Sequence, residues 1–228
     1  MELNNRPVIC HMIDRLKLSN ILDRIILCTS TNPHDKPLVE IAKNENIDCF
    51  LGSEEDVILR LYEATRKFKL DYALNVTADC PLVSLEYLEK IVDKYIETNA
   101  DLIKCSKLPH GLYSNGLKIE AIKKVCEIKK SNETEVWGRY FTDTGLFNII
   151  NLDIPPEYIR PDYRLTLDYS EDFEFFQKIF KHFGKNTYKT SILDIIKYLD
   201  ENPQIVAINK HCEELYKKRI ESQTKLEV

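Results

Sequence analysis

The stretch Tyr72-Ala73-Leu74-Asn75-Val76-Thr77-Ala78-Asp79-Cys80-Pro81-Leu82-Val83 decides how the chain is read. Its first half is a short run that reads as a β-strand over 72–77, and it empties into a turn carrying an acid and a proline. Ser84 is a good N-cap and opens a helix expected over 85–98, after which 101–106 reads as the next strand. Working back towards the N-terminus, 24–29 is a short apolar run ending in Thr-Ser-Thr-Asn-Pro, a buried strand entering a loop. Helical spacing of apolar residues marks 6–18 and 35–44. A brief strand covers 48–51. Ser53, with Asp56 three residues on, resembles a capping box with a shortened acid and opens a helix over 54–68. The order up to residue 106 is helix and strand in strict alternation, which means βα units and a largely parallel sheet covered by helices. That alternation begins with a helix, so an opening strand is missing from the pattern.

Beyond Lys107 the rhythm changes. Residues 108–151 hold four of the six glycines, a short helix near 120–128, a polar stretch over 129–135 and a strand-like segment over 144–152. The whole of 108–160 reads as a subdomain inserted into a single 1–228 domain. Arg164-Leu165-Thr166-Leu167-Asp168 alternates like a strand and ends in an acid, followed by a helix over 171–183. Two further helices, separated by Asn202-Pro203, fill 191–218.

Composition narrows the function. Six glycines in 228 residues is well below the average of roughly 7%, and none precedes Gly52, so no intact Walker or dinucleotide phosphate loop is present. A net charge of −5 offers no concentrated basic surface for nucleic acid or an anionic membrane. Lys217-Lys218-Arg219 reads as a solvated helix face. No apolar run reaches the ~18 residues of a membrane span. Seven scattered cysteines cannot all pair and show no metal-knuckle spacing, which fits reduced thiols in a cytoplasmic protein.

In an open parallel sheet, ligands sit beyond the carboxyl ends of the strands, where Asp79 and Asp168 fall. Two carboxylates there can share one Mg²⁺ together with phosphate oxygens, although a helix or turn cap is the commoner use of such an aspartate.

Four motifs in order carry a family resemblance. Residues 77–83, Thr-Ala-Asp-Cys-Pro-Leu-Val, resemble the "TGDCPLI" turn of nucleotidyltransferases that activate sugars with CTP. Residues 164–173 resemble their "RLTVDTPEDF", residues 51–57 their "RGSEEDVL", and Arg6-Pro7-Val8-Ile9 the "GKPVL" that opens their first helix. On these residues the chain resembles the acylneuraminate cytidylyltransferase family, in particular its branch similar to spore-coat polysaccharide protein F. The resemblance implies a Rossmann-like α/β fold with helices on both faces of a mostly parallel sheet. It implies CTP, or another nucleoside triphosphate, and a sugar or sugar acid as substrates, with pyrophosphate released. Asp79 and Asp168 match the catalytic, Mg²⁺-holding positions, while Ser53, Asp56 and Thr77 fall where the nucleotide would lie. His110, Glu135, Trp137, Arg139 and Arg164 are the expected substrate contacts, with Trp137 as an aromatic platform and Arg139 as a charge for a carboxylate or phosphate. Relatives commonly dimerise through the inserted subdomain, so a homodimer is expected.

Two departures qualify the match. Relatives begin with a strand and a basic loop, "ARxxSxRLPGK", that grips the triphosphate, and this sequence begins just downstream of where that loop would end. Roughly 20 residues, one strand and one loop, would then be missing, leaving two neighbouring strand edges exposed. The chain is either a shortened version of a working enzyme or a divergent protein that has lost triphosphate binding. Residues 109–116 also depart from the branch's "PDGLDVEVF", which affects the sugar preference. Outside this family, a GT-A glycosyltransferase is the rival reading, but it would want an Asp-x-Asp where this chain has Asp79-Cys80-Pro81.

Overall fold

In the computed structural model, which describes residues 1–223, the alternating N-terminal half folds as βα units. Residues 224–228, included in the single-domain expectation, lie outside the described residues. After a two-residue hairpin, β1 (Glu2–Leu3) and β2 (Arg6–Pro7), helix α1 (Val8–Leu16) leads to β3 (Ile26–Ser30). Helix α2 (Lys36–Asn44) then carries the chain to β4 (Asp48–Gly52), which pairs with β3 in parallel, from Ile26 opposite Asp48 to Ser30 opposite Gly52. Helix α3 (Val57–Phe68), strand β5 (Tyr72–Asn75), helix α4 (Leu85–Thr98) and strand β6 (Leu102–Lys104) follow. The expected α3 start at residue 54 moves to Val57 because Asp56, not Ser53, is the cap: Oδ1 of Asp56 accepts the Leu59 amide at 3.1 Å.

Strand β7 (Asn115–Lys118) was not expected, and it changes the sheet. It lies between β5 and β6, antiparallel to both, while β8 (Ile149–Asn151) runs parallel to β6 on the far side. The sheet is mixed at this one strand, while β5, β6 and β8 run the same way, as the expected mostly parallel sheet requires. Gly116 makes the insertion of β7 possible. A Cβ there would stand 2.1 Å from the Tyr72 hydroxyl and 2.3 Å from Cγ2 of Ile91, well inside van der Waals contact. The stretch 108–160 builds no core of its own: Leu117, Ile122, Val125 and Phe141 share one apolar cluster with Ile58 of α3 and Leu102 of β6.

Strands β3–β4 and β5–β7–β6–β8 form two separate ladders, so β3 and β5 each have one edge with no strand partner among the described residues. Helices span the break on both faces. Met12 and Leu16 of α1 gather Ile25 beside β3 together with Leu74 of β5, whereas α3 touches β3 and β4 and shares a cluster with Ala73. Leu74 and Ala73 fall on opposite faces, as the two-residue period of a strand requires.

The C-terminal half wraps the other end. The expected strand over 164–168 is an extended segment held by single bonds, a bridge of His110 to Arg164 and the Leu165 amide on the His110 carbonyl at 2.7 Å. Gly111 permits this approach at φ +91°, since a Cβ would lie 2.0 Å from the Leu165 carbonyl oxygen. Helix α7 (Ser170–Phe183) buries Phe175, Phe176, Ile179 and Phe180 against that segment and the sheet. Three C-terminal helices follow rather than two: α8 (Ile192–Glu201), α9 (Pro203–Asn209) and α10 (Cys212–Gln223), with α5 (Ile119–Ile128) and α6 (Gly138–Thr142) earlier in the chain. No helix among the described residues is long and apolar enough to cross a membrane.

Candidate active site

Residues 76–84 leave the end of β5 in a tight turn, with the Cys80 amide on the Thr77 carbonyl and the Val83 amide on the Cys80 carbonyl. Leu82 and Val83 are fully buried and anchor it. Burial pushes the Cys80 thiol well above its ordinary range, and the nearby Asp79 charge adds to the effect. The group therefore stays an S–H and donates to Oδ1 of Asp79 at 3.3 Å. The second strand end lies alongside, because the Leu167 amide donates to the Asp79 carbonyl at 3.0 Å. One backbone hydrogen bond thus sets Asp79 next to the residue that precedes Asp168.

Asp168 is held from below by a buried ion network. Arg164, 1% exposed, gives Nε and Nη2 to the two oxygens of Asp172 at 2.9 and 3.1 Å, and Nη2 also reaches Oδ2 of Asp168 at 2.6 Å. Its Nη1 donates to Oε2 of Glu213 at 3.0 Å. Burial works against this guanidinium's charge, but Asp172, Glu213 and Asp168 outweigh it and raise the pKa. Asp172 is fully satisfied in return. Its Oδ2 accepts the amides of Asp168 and Tyr169, and its Oδ1 accepts the Asn209 side-chain amide at 2.8 Å. Buried charge is tolerable when every lone pair has a donor.

Helix α10 covers the site from above. Glu213 accepts from Arg164, and its Oε2 lies 2.8 Å from Nδ1 of His110. Burial tends to raise the Glu213 carboxyl, but His110 and Arg164 together hold it below its ordinary value. Tyr216 packs edge-on to His110 and receives the guanidinium of Arg164 over its ring. Arg219 reaches Oδ1 of Asp168 at 2.7 Å, so both oxygens of that carboxylate carry an arginine.

The expected site residues separate into two groups. Asp79, Asp168, Arg164, His110 and Thr77 come together at the strand ends, with the Thr77 hydroxyl 3.2 Å from the Cys80 sulfur. Glu135 is exposed and lies within electrostatic reach of Arg219. Asp56 is 1% exposed and is occupied by the α3 cap, the Thr134 hydroxyl and the Lys129 ammonium. Ser53 supports the same corner through the Asp56 amide. Trp137 is buried against Phe141, and Arg139 is exposed and paired with Asp143. Sequence reading did not single out Asp172, Glu213 or Tyr216, and it read Arg219 as part of a solvated face. The last three stand three residues apart along one helix face, a pattern visible in the sequence but with no apolar stripe to draw attention to it.

The donor set suits a hard divalent cation. Arg164 and Arg219 supply two positive charges against four from Asp79, Asp168, Asp172 and Glu213, and among the described residues Asp79 has no ion-pair partner. Mg²⁺ needs only one or two carboxylates when phosphate and water complete its shell. The one group of three metal-capable side chains found among the described residues, Glu171, His211 and Cys212, instead ties the start of α7 to the start of α10.

A βα sheet in which the turn at Asp79 is bonded to Leu167, one residue before Asp168, fits a nucleotidyltransferase. The chain belongs to the cytidylyltransferase family, whose sequence model matches residues 1–179. It is 31% identical to an uncharacterized protein of Methanocaldococcus jannaschii over 97% of this chain and 91% of that one. It is 23% identical to the spore coat polysaccharide biosynthesis protein SpsF of Bacillus subtilis over 79% of this chain and 76% of that one. Among solved structures, a cytidylyltransferase of Leptospira borgpetersenii superposes with a TM-score of 0.82 at 24% identity, covering 90% of this chain and 88% of that one. A CMP:2-keto-3-deoxy-manno-octonic acid synthetase complexed with CTP gives 0.62 at 11% identity, with 80% and 90% coverage. These two likenesses concern the fold.

Proposed function

We propose that the protein transfers a cytidylyl group from CTP to a sugar or sugar acid and releases pyrophosphate, in the cytoplasm and in the service of polysaccharide or glycan synthesis. The observation that supports this reading is the backbone hydrogen bond from Leu167, the neighbour of Asp168, to Asp79 in a chain of the cytidylyltransferase family. A Mg²⁺ ion held by Asp79 and Asp168 would neutralise the triphosphate and polarise the α-phosphorus towards the sugar oxygen. The protein's own contribution is positioning. The Cys80 thiol and the buried Leu82-Val83 anchor fix the Asp79 carboxylate, and Arg164 fixes Asp168 from the buried side. His110, stacked on Tyr113, and Glu135, within electrostatic reach of Arg219, would contact the acceptor. Seven cysteines without a disulfide agree with a reducing compartment. A homodimer completes the proposal.

The test is Mg²⁺-dependent pyrophosphate release from CTP across a panel of sugar acids and sugar phosphates. Turnover with at least one acceptor is expected. Silence across the panel, with no CTP binding by calorimetry, would leave a family member that has lost its chemistry.

A further inference from the structure

Two arginines hold Asp168, and they are not equivalent. Arg164 is 1% exposed and committed to three carboxylates at once, so it cannot leave without stranding Asp172. Arg219 is 37% exposed in its side chain, and Asp168 is its sole carboxylate partner among the described residues. It arrives on α10, a helix that contributes no residue to any of the three apolar clusters. The contacts that α10 makes with the site are polar: Glu213 to Arg164 and His110, Tyr216 beneath the two guanidinium groups, and Arg219 to Asp168. Contacts of that kind are weak singly and exchange partners readily. Moreover, Nε of Arg219 is buried and has no hydrogen-bond partner among the described residues. An arginine whose guanidinium makes one bond at Nη2 while Nε stays unmet lacks its full set of acceptors.

The geometry points to Arg219 as a nucleotide-binding residue that doubles as the latch of a lid: it yields Asp168 to a divalent cation and closes on the phosphates that the cation brings. This rests on the proposed reading of Asp79 and Asp168 as the cation site. The charges support the exchange. A cation entering between Asp79 and Asp168 replaces one positive charge on Asp168 with two. The displaced guanidinium, kept in place by the rings of Tyr169 and Tyr216, then faces a polyphosphate, whose oxygens can satisfy Nε and Nη2 together in the bidentate manner arginine favours. Glu213 and Tyr216 hold the helix while its far end swaps partners.

The experiment compares the wild-type protein with Arg219→Ala and Arg219→Lys, each confirmed folded by circular dichroism. Mn²⁺ binding is followed by electron paramagnetic resonance and Mn²⁺·CTP binding by calorimetry. For Arg219→Ala the expected effects have opposite sign: Mn²⁺ alone binds roughly tenfold tighter because its competitor is gone, and Mn²⁺·CTP binds roughly tenfold weaker because a charge-assisted contact is lost. Arg219→Lys, which keeps the charge but not the fork, should fall between. A helix-stabilising role alone would not raise cation affinity. Wild-type binding of Mn²⁺ and CTP with constants unchanged in Arg219→Ala would overturn the latch and leave the proposed function standing. Absence of Mn²⁺ and CTP binding in the wild-type protein and in both variants would overturn the proposed function and the latch with it.

Discussion

Arg164 carries one positive charge and answers to Asp172, Asp168 and Glu213. Removing it would leave Asp172 charged in a fully buried place, with two backbone amides and Asn209 as its remaining donors. Breaking a buried pair from one side typically costs about 3–5 kcal/mol, so Arg164→Ala should lose a large share of the stability of a domain of this size, read from its urea midpoint. A loss below ~1 kcal/mol would contradict a buried network that depends on its arginine. Asp79→Asn should behave in the opposite way, abolishing turnover while the melting temperature stays close to wild type, because among the described residues its carboxylate pairs with no cation. Loss of the fold in that variant would make Asp79 structural. At this scale the sequence was most informative where the chemistry is local: the turn around Asp79 and the run from Arg164 to Asp172 each place an acid by themselves. Trp137 and Asp56 were less legible. Each sits in a plausible motif, but one is drawn into the Phe141 cluster and the other into a cap and a buried ion pair with Lys129, and both fates depend on residues distant in sequence.

Among the elements, α10 and β7 depart furthest from expectation. Lys217-Lys218-Arg219 reads as a solvated face, and most of α10 is solvated, yet Glu213, Tyr216 and Arg219 meet the site. Its docking should depend on pH. Glu213 is held below its ordinary carboxylate value, so its contribution is fully present above the unfolded value of about 4.5 and is lost as the pH falls through the lowered folded value. Hydrogen exchange of peptide 212–223, corrected for intrinsic rates and referred to the central strand β6, should show protection falling over that acid range; constant protection would contradict the ion-mediated docking. Strand β7 was missed because Ser114-Asn115-Gly116 has turn composition, whereas here the glycine serves the close approach of Tyr72 and Ile91. The break between β3 and β5 leaves two unpaired edges among the described residues, in line with an alternation that opens on a helix.

At the scale of the whole molecule, two ladders are held together by helices on both faces. β3 and β5 keep one unpaired edge each among the described residues, and unpaired edges invite association. The proposed homodimer predicts a mass near twice 26.7 kDa by light scattering at micromolar concentration. A monomer there would remove the dimer from the account and leave the site intact, since each carboxylate and arginine discussed belongs to one chain. The central claim is that Asp79 and Asp168 form a working cation and nucleotide site, and the most direct measurement is calorimetric titration of CTP with and without Mg²⁺ into the wild-type protein and Asp79→Asn. The account predicts Mg²⁺-dependent binding to the wild-type protein that weakens at least roughly tenfold in the variant, the loss of one charged ligand. Binding of equal strength to both proteins, or binding indifferent to Mg²⁺, would contradict it.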